Sequence, residues 1–209
     1  MKVYVEGRAG SYENMWADNG HEVVLALSEA DIVQFIGGAD VDPALYHKES
    51  HPRTHSSIAT DELSIGLYSH CIKYDIPMVG VCRGGQVLNV LNGGEMWQHV
   101  NNHAIGGTHV ARDLVTQRYI NVSSTHHQMM IPGNGSVTVA IGEKLSSWRE
   151  TTDDLGDILR EEGDHEDVEV VWYPKGKSLC FQPHPEFFTP DHECQKYYFE
   201  LLERYLEVK

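Results

Sequence analysis

Basic residues are scarce in this chain: 16 lysines and arginines stand against 31 aspartates and glutamates, for a formal net charge of -15. That imbalance disfavours a nucleic-acid backbone or an anionic membrane as the main partner and leaves small molecules or proteins. No apolar run approaches the length needed to cross a bilayer. The N-terminal stretch MKVYVEGRAG reads as a short strand, not as the apolar core of a signal peptide, so a cytoplasmic protein is expected. Cysteine is sparse as well. Cys71, Cys82, Cys180 and Cys194 are scattered without a CxxC pair, in a chain too large to need disulfides as its framework, so they are expected to be reduced thiols. Internal repeats, low-complexity linkers and a nucleotide-binding glycine motif of convincing spacing are also missing, which argues against repeat arrays and dinucleotide sites.

What the chain does have is enough apolar material for one core. With 209 residues, 41% of them hydrophobic, residues 1–209 are expected to form a single domain. Short segments rich in Val, Ile and aromatics predict strands: KVYVEG, HEVVLAL, DIVQFIGG, PMVGVC, RYINVSS, VTVAIG, VEVVWYP and SLCFQPH. Between the early ones lie the helical candidates SYENMWADNG, TDELSIGLYSHCIKYD and GGQVLNVLNGG. A terminal helix follows, with Thr189 able to cap it, Pro190 at its first position, and Tyr198, Leu201, Leu202, Tyr205 and Leu206 on one face. The alternation predicts an α/β fold: a parallel sheet with helices on both faces, carrying an antiparallel addition where the later strands follow too closely for helical crossovers. The acidic stretch Glu150 to Glu169 reads as a solvated loop or short exposed helix, or else as a docking face for a basic partner.

Cys82 stands out from the other cysteines. Cys71 and Cys194 fall in predicted helices and Cys180 in an apolar strand, where a thiol acts as a small hydrophobe. Cys82 instead ends the run MVGV and is followed at once by Arg83, Gly84 and Gly85. In a parallel α/β sheet the functional crevice lies beyond the carboxyl ends of the strands, so Cys82 should project into it from a tight strand-to-helix turn. The glycines would tolerate the unusual backbone angles of that turn, and the helix N-terminus would favour a thiolate. A base could come from SLCFQPHPEF, where His184 and Glu186 follow a strand and are stiffened by Pro183 and Pro185. Gly37 and Gly38 follow another apolar strand. The Gly38 amide could pair with that of Arg83 to meet an oxyanion.

Taken together, GVCRGGQVLN, FQPHPE, IGGADVDPALY and STHHQ resemble the signatures of class I glutamine amidotransferases, most closely the branch containing γ-glutamyl-GABA hydrolase and related γ-glutamyl hydrolases. The resemblance implies a flavodoxin-like sheet bearing a triad of Cys82 as nucleophile, His184 as base and Glu186 as orienting acid. It places the oxyanion-hole amides on Gly38 and Arg83, and substrate contacts on Gly37, Gln86, His126 and His127. The implied reaction is attack of Cys82 on the γ-carboxamide of glutamine or a γ-glutamyl amine, giving a γ-glutamyl thioester that water then hydrolyses.

Two alternatives stay open at this level: an ammonia-supplying glutaminase that serves a separate synthetase partner, and a non-catalytic binding module on the same fold. A metal site is a further class, because the 13 histidines include His99, His103, His109, His126 and His127 in mid-chain. His99 and His103 have helical i, i+4 spacing, but Asn101, Asn102 and Gly106 argue against a helix there. Cys-His-Glu chemistry requires no metal, so neither a metal nor another cofactor is expected.

Overall fold

The alternation in the first half of the chain becomes βαβ units in the computed structural model, which describes residues 1–143 and 145–207. The elements in order are β1 (Lys2–Val5), α1 (Gly10–Asp18), β2 (Glu22–Val24), β3 (Ile32–Phe35), α2 (Ile58–Tyr74), β4 (Met78–Val81) and α3 (Arg83–Leu91). There follow β5 (Glu95–Trp97), β6 (His99–Val100), β7 (Thr108–Asp113), β8 (Tyr119–Ser123), β9 (Met129–Ile131), β10 (Val137–Gly142), β11 (Trp148–Thr152) and β12 (Ile158–Glu162). The chain closes with β13 (Asp167–Tyr173), β14 (Ser178–Phe181) and α4 (Glu193–Leu206).

Nine strands form one sheet in the order β2-β1-β3-β4-β14-β13-β10-β7-β8. The five strands from β2 to β14 run parallel, and the rest of the sheet is added antiparallel. This is the predicted α/β fold, with a flavodoxin-like parallel part. Strand periodicity sorts the core: along β3, Ile32 packs with Trp16 and Tyr198 on the α1/α4 face, while Val33 and Phe35 pack with Leu67 and Leu88 on the α2/α3 face. Gln34, fully buried, accepts hydrogen bonds from Trp16 Nε1 (3.0 Å) and the Tyr198 hydroxyl (2.5 Å). Cys71, Cys180 and Cys194 are buried as expected, and all four thiols are free. Among the described residues no helix is long and apolar enough to cross a membrane.

Two local expectations need correction. The final helix begins at Glu193, not near Pro190: His192 is the cap, its Nδ1 accepting the Cys194 N–H at 3.1 Å. The acidic stretch is neither a loop nor a helix. β11 and β12 form an antiparallel hairpin from Trp148 to Glu162, joined to β6. Its turn is held by Asp153 Oδ1, which accepts the N–H groups of Leu155 (2.8 Å) and Asp157 (3.0 Å). Cross-strand pairs replace a core: Arg160 reaches Glu150 at 3.2 Å and stacks over Trp148 at 4.4 Å, and Arg149 binds Glu161 at 2.6 Å. All five β12 residues are exposed, so apolar alternation gave no sign of the strand.

Register brings the chain together at one sheet end. Phe181 pairs with Val81 across β14 and β4, and Phe35 pairs with Gly80 across β3 and β4. The three segments leaving β3, β4 and β14 therefore start side by side at the carboxyl end of the parallel strands.

Candidate active site

Cys82 connects β4 to α3 with φ 51° and ψ -115°, a left-handed conformation that costs a non-glycine residue on the order of 1–3 kcal/mol. Two hydrogen bonds hold it there: its N–H donates to Phe181 O (2.9 Å) and its carbonyl accepts the Gln86 N–H (2.9 Å). The strain thus sits on the cysteine, and Gly84 and Gly85 serve a different purpose from the one expected. Neither has a positive φ. A Cβ on Gly84 would lie 2.5 Å from the Phe35 carbonyl, and one on Gly80 would lie 2.2 Å from Gly84 O. The glycines let α3 press its first turn onto β3, β4 and β14. As the first turn of a helix, the amides of Arg83, Gly84 and Gly85 have no intrahelical partner.

His184 sits two residues beyond the residue that follows β14, its side chain only 12% exposed. Its backbone N–H donates to Ser123 Oγ (2.6 Å), and its Nδ1 is 2.6 Å from Glu186 Oε1. Phe187 stacks on the imidazole at 4.4 Å with the planes 1° apart, fixing its tilt. Burial works against the charged imidazolium, but Cys82 and Glu186 outweigh it and raise the His184 pKa to about 10. Proximity thus unites the cysteine, histidine and glutamate that the sequence nominates.

The Gly37–Gly38 turn lies against the same group. A Cβ on Gly37 would come within 2.7 Å of His184 Cε1 and 3.0 Å of the Tyr12 hydroxyl, so glycine makes room for the His184 imidazole. The Gly37 N–H is donated to Tyr12 Oη (2.9 Å). Among the described residues the exposed Gly38 makes no such bond with its N–H.

These features agree with what comparison finds. The Peptidase C26 family matches residues 5–186, most of the chain. The chain belongs to the Peptidase C26 family.

This C26 member is 31% identical over 163 residues to a candidate glutamine amidotransferase of Mycobacterium tuberculosis; the match covers 68% of the chain and spans 49% of that protein, about half its length. It is 25% identical to the candidate glutamine amidotransferase-like protein YvdE of Lactococcus lactis, covering 92% of this chain and 86% of the other. Among solved structures, a glutamine amidotransferase of Thermotoga maritima superposes with TM-score 0.59 at 14% identity, covering 99% of this chain and 84% of that one. A candidate GMP synthase subunit from Thermoplasma acidophilum gives 0.60 at 15% identity, covering 99% and 96%. The α/β fold and membership of a glutamine amidotransferase-like family are thereby established.

The side chains of most other nominated residues of the C26 chain turn inward. Gln86 is buried, with its Nε2 donating to Gln182 Oε1 (3.1 Å). The side chain of Arg83 is fully buried under the elbow, bound to Asp61 (2.5 Å) and Ser64 Oγ (2.5 Å) with Glu6 at 3.9 Å. The consecutive histidines part company: His127 stays partly exposed and meets Asp40 Oδ1 at 3.1 Å, close in sequence to Gly38, whereas His126 turns inward and is 3% exposed. His126 belongs to a buried cluster with His103, His109 and Glu169. Sequence reasoning missed Tyr12, Ser123 and Phe187. Tyr12 lies on an ordinary amphipathic helix with nothing local to mark it, and Phe187 was visible only as the residue after the triad motif.

Proposed function

We propose that this chain is a cysteine hydrolase that cleaves the γ-glutamyl amide bond of glutamine or a γ-glutamyl amine through a γ-glutamyl thioester. The observation that carries the reading is the strained Cys82 facing a His184 whose raised pKa and Glu186 partner suit an imidazolium beside a sulfur nucleophile. In the proposed reaction Cys82 Sγ attacks the γ-carbonyl carbon and the carbonyl electrons move to oxygen. The Gly38 and Arg83 amides donate to that oxyanion. As the tetrahedral intermediate collapses, the C–N bond breaks and the imidazolium of His184 gives its proton to the leaving amine or ammonia. Water, deprotonated by the now neutral His184, attacks the thioester, and glutamate leaves with Cys82 restored. Glu186 orients the ring throughout.

The test is glutamate release by the whole chain from glutamine and from a panel of γ-glutamyl amines, with Cys82→Ala as control. Release from a γ-glutamyl amine that Cys82→Ala abolishes supports a free-standing hydrolase. Release from glutamine alone, rising when a synthetase is added, supports the partner-dependent reading that similarity to a GMP synthase component raises. Turnover that survives Cys82→Ala refutes the mechanism, and no turnover under any condition leaves the fold as a binding module.

A further inference from the structure

Beyond the triad, the antiparallel half of the sheet hides a second cluster. His103, His109, His126 and Glu169 are all buried, and one ligand-type atom from each lies within 4.8 Å of all the others. The segments that supply them are far apart: the loop after β6, strand β7, the stretch after β8, and strand β13. Burying three imidazoles and a carboxylate in one place is costly unless something satisfies them together.

The outer atoms of the rings determine what the inner ones present. His126 Nδ1 lies 2.9 Å from the Gln128 carbonyl, which can only accept, so that nitrogen carries the proton. His103 Nε2 lies 3.1 Å from Asp167 Oδ2, off the ideal hydrogen-bond axis but again facing an acceptor. Neutral rings in these tautomers turn bare lone pairs on His103 Nδ1 and His126 Nε2 toward each other at 3.2 Å. Glu169 Oε1 adds negative charge at 3.4 Å from His103 Nδ1 and 3.8 Å from His126 Nε2, and accepts a hydrogen bond from His109 Nε2 at 2.8 Å, whose proton metal binding would displace. Two facing lone pairs and a carboxylate repel unless a proton or a metal ion lies among them, and a divalent metal ion satisfies all of the groups at once.

We propose that His103, His109, His126 and Glu169 bind one first-row divalent metal ion, zinc by preference, as a structural site. A tetrahedral zinc ion holding nitrogen and oxygen ligands at about 2.0–2.1 Å keeps them roughly 3.3 Å apart, which the observed separations bracket. Asp167 and the Gln128 carbonyl then act as the outer hydrogen-bond acceptors that orient metal-bound imidazoles. With both carboxylates ionised, a divalent ion makes the buried group electrically neutral. Four protein ligands leave no position for a substrate or water, so the ion clips segments together instead of catalysing. It would pin the 103 loop and the 126 stretch onto β7 and β13. That stretch continues from Ser123, which holds the His184 backbone, and carries His127, which meets Asp40.

The site was not foreseen from the histidine spacing, because only three of the five mid-chain histidines converge and the fourth ligand comes from the acidic stretch. Asp167 and Glu169 are both fully buried, unlike the surface expected for that stretch. The signal lay in DVEVV, where alternation puts both acids on one face of a strand.

The test uses the full chain without a histidine tag, purified from zinc-supplemented cells, with metal content measured by plasma mass spectrometry. One equivalent of zinc per chain is expected, retained in Cys82→Ala and reduced at least roughly tenfold in His109→Ala and Glu169→Gln. Should those variants fail to fold, wild-type protein stripped by a chelator still decides the matter. Its melting temperature should fall by several degrees and recover on adding zinc, and cobalt in its place should give tetrahedral d–d absorption. A chain that takes up no zinc and does not shift its melting temperature overturns the proposal. So does zinc that persists in folded His109→Ala and Glu169→Gln, or that disappears in Cys82→Ala, since the ion would then sit elsewhere.

Discussion

Replacing Gly84 by alanine puts a methyl group where a Cβ would stand 2.5 Å from both the carbonyl carbon and oxygen of Phe35 and 2.9 Å from Ile36 N. Carbon and backbone atoms need about 3.5 Å, so α3 must back away from β3 by about 1 Å. Overpacking of this kind costs about 1–3 kcal/mol, and for a chain of this size each kcal/mol lowers the melting temperature by about 2–4 °C. The same movement carries Cys82 and the first-turn amides of Arg83 and Gly84 away from His184. A displacement near 1 Å in a reacting group can cost on the order of a hundredfold in rate. Gly66 provides the control: it is exposed in the middle of α2, and a Cβ there meets nothing within 4 Å. Gly66→Ala should stabilise by about 0.5–1 kcal/mol, through helix propensity alone. Thermal unfolding would measure both variants, and the rate of Cys82 alkylation together with glutamate release would report the elbow. If Gly84→Ala melts like the wild type and alkylates at the same rate, close helix packing is not what the glycine is for.

Folded His184 holds its proton up to about pH 10, above the unfolded value of about 6.5, so its contribution to stability is complete below about pH 6.5 and is lost as pH rises toward 10. Cys82→Ala and Glu186→Gln should each lower that pKa in an NMR titration of the ring; an unchanged value in both would contradict the coupling described. Arg83→Met leaves Glu6 and Asp61 buried without their cation and should destabilise by about 3–5 kcal/mol in denaturant unfolding. Arg118→Ala, which removes an exposed partner of Glu200, should cost no more than about 1 kcal/mol. Similar losses for the two arginines would show that the buried network is not a structural unit.

Much of this was legible because it is local. Runs of Val and Ile such as MVGV and DIVQF, short and β-branched, read as buried strands, and the glycine pair after Cys82 and the prolines around His184 mark sharp exits from them. Those signals were enough to predict a parallel core and to nominate Cys82, His184 and Glu186 for one crevice. The β11–β12 hairpin escaped because its stability comes from cross-strand charge and cation–π pairs, which leave no apolar alternation to read.

By itself, then, the sequence determined which strands are buried, where the chain turns, and which residue types reach the carboxyl end of the sheet, since propensity and periodicity act over a few neighbours. Tertiary structure decided the rest. Gly84 is a packing glycine because Phe35 lies behind it, Tyr12 joins the site because α1 lies beside the Gly37 turn, and His126 and His127 divide because Glu169 and Asp40 wait on opposite sides. Each of these depends on atoms from segments tens of residues apart meeting within a few ångströms. That coincidence is fixed by register and packing, and no local pattern encodes it.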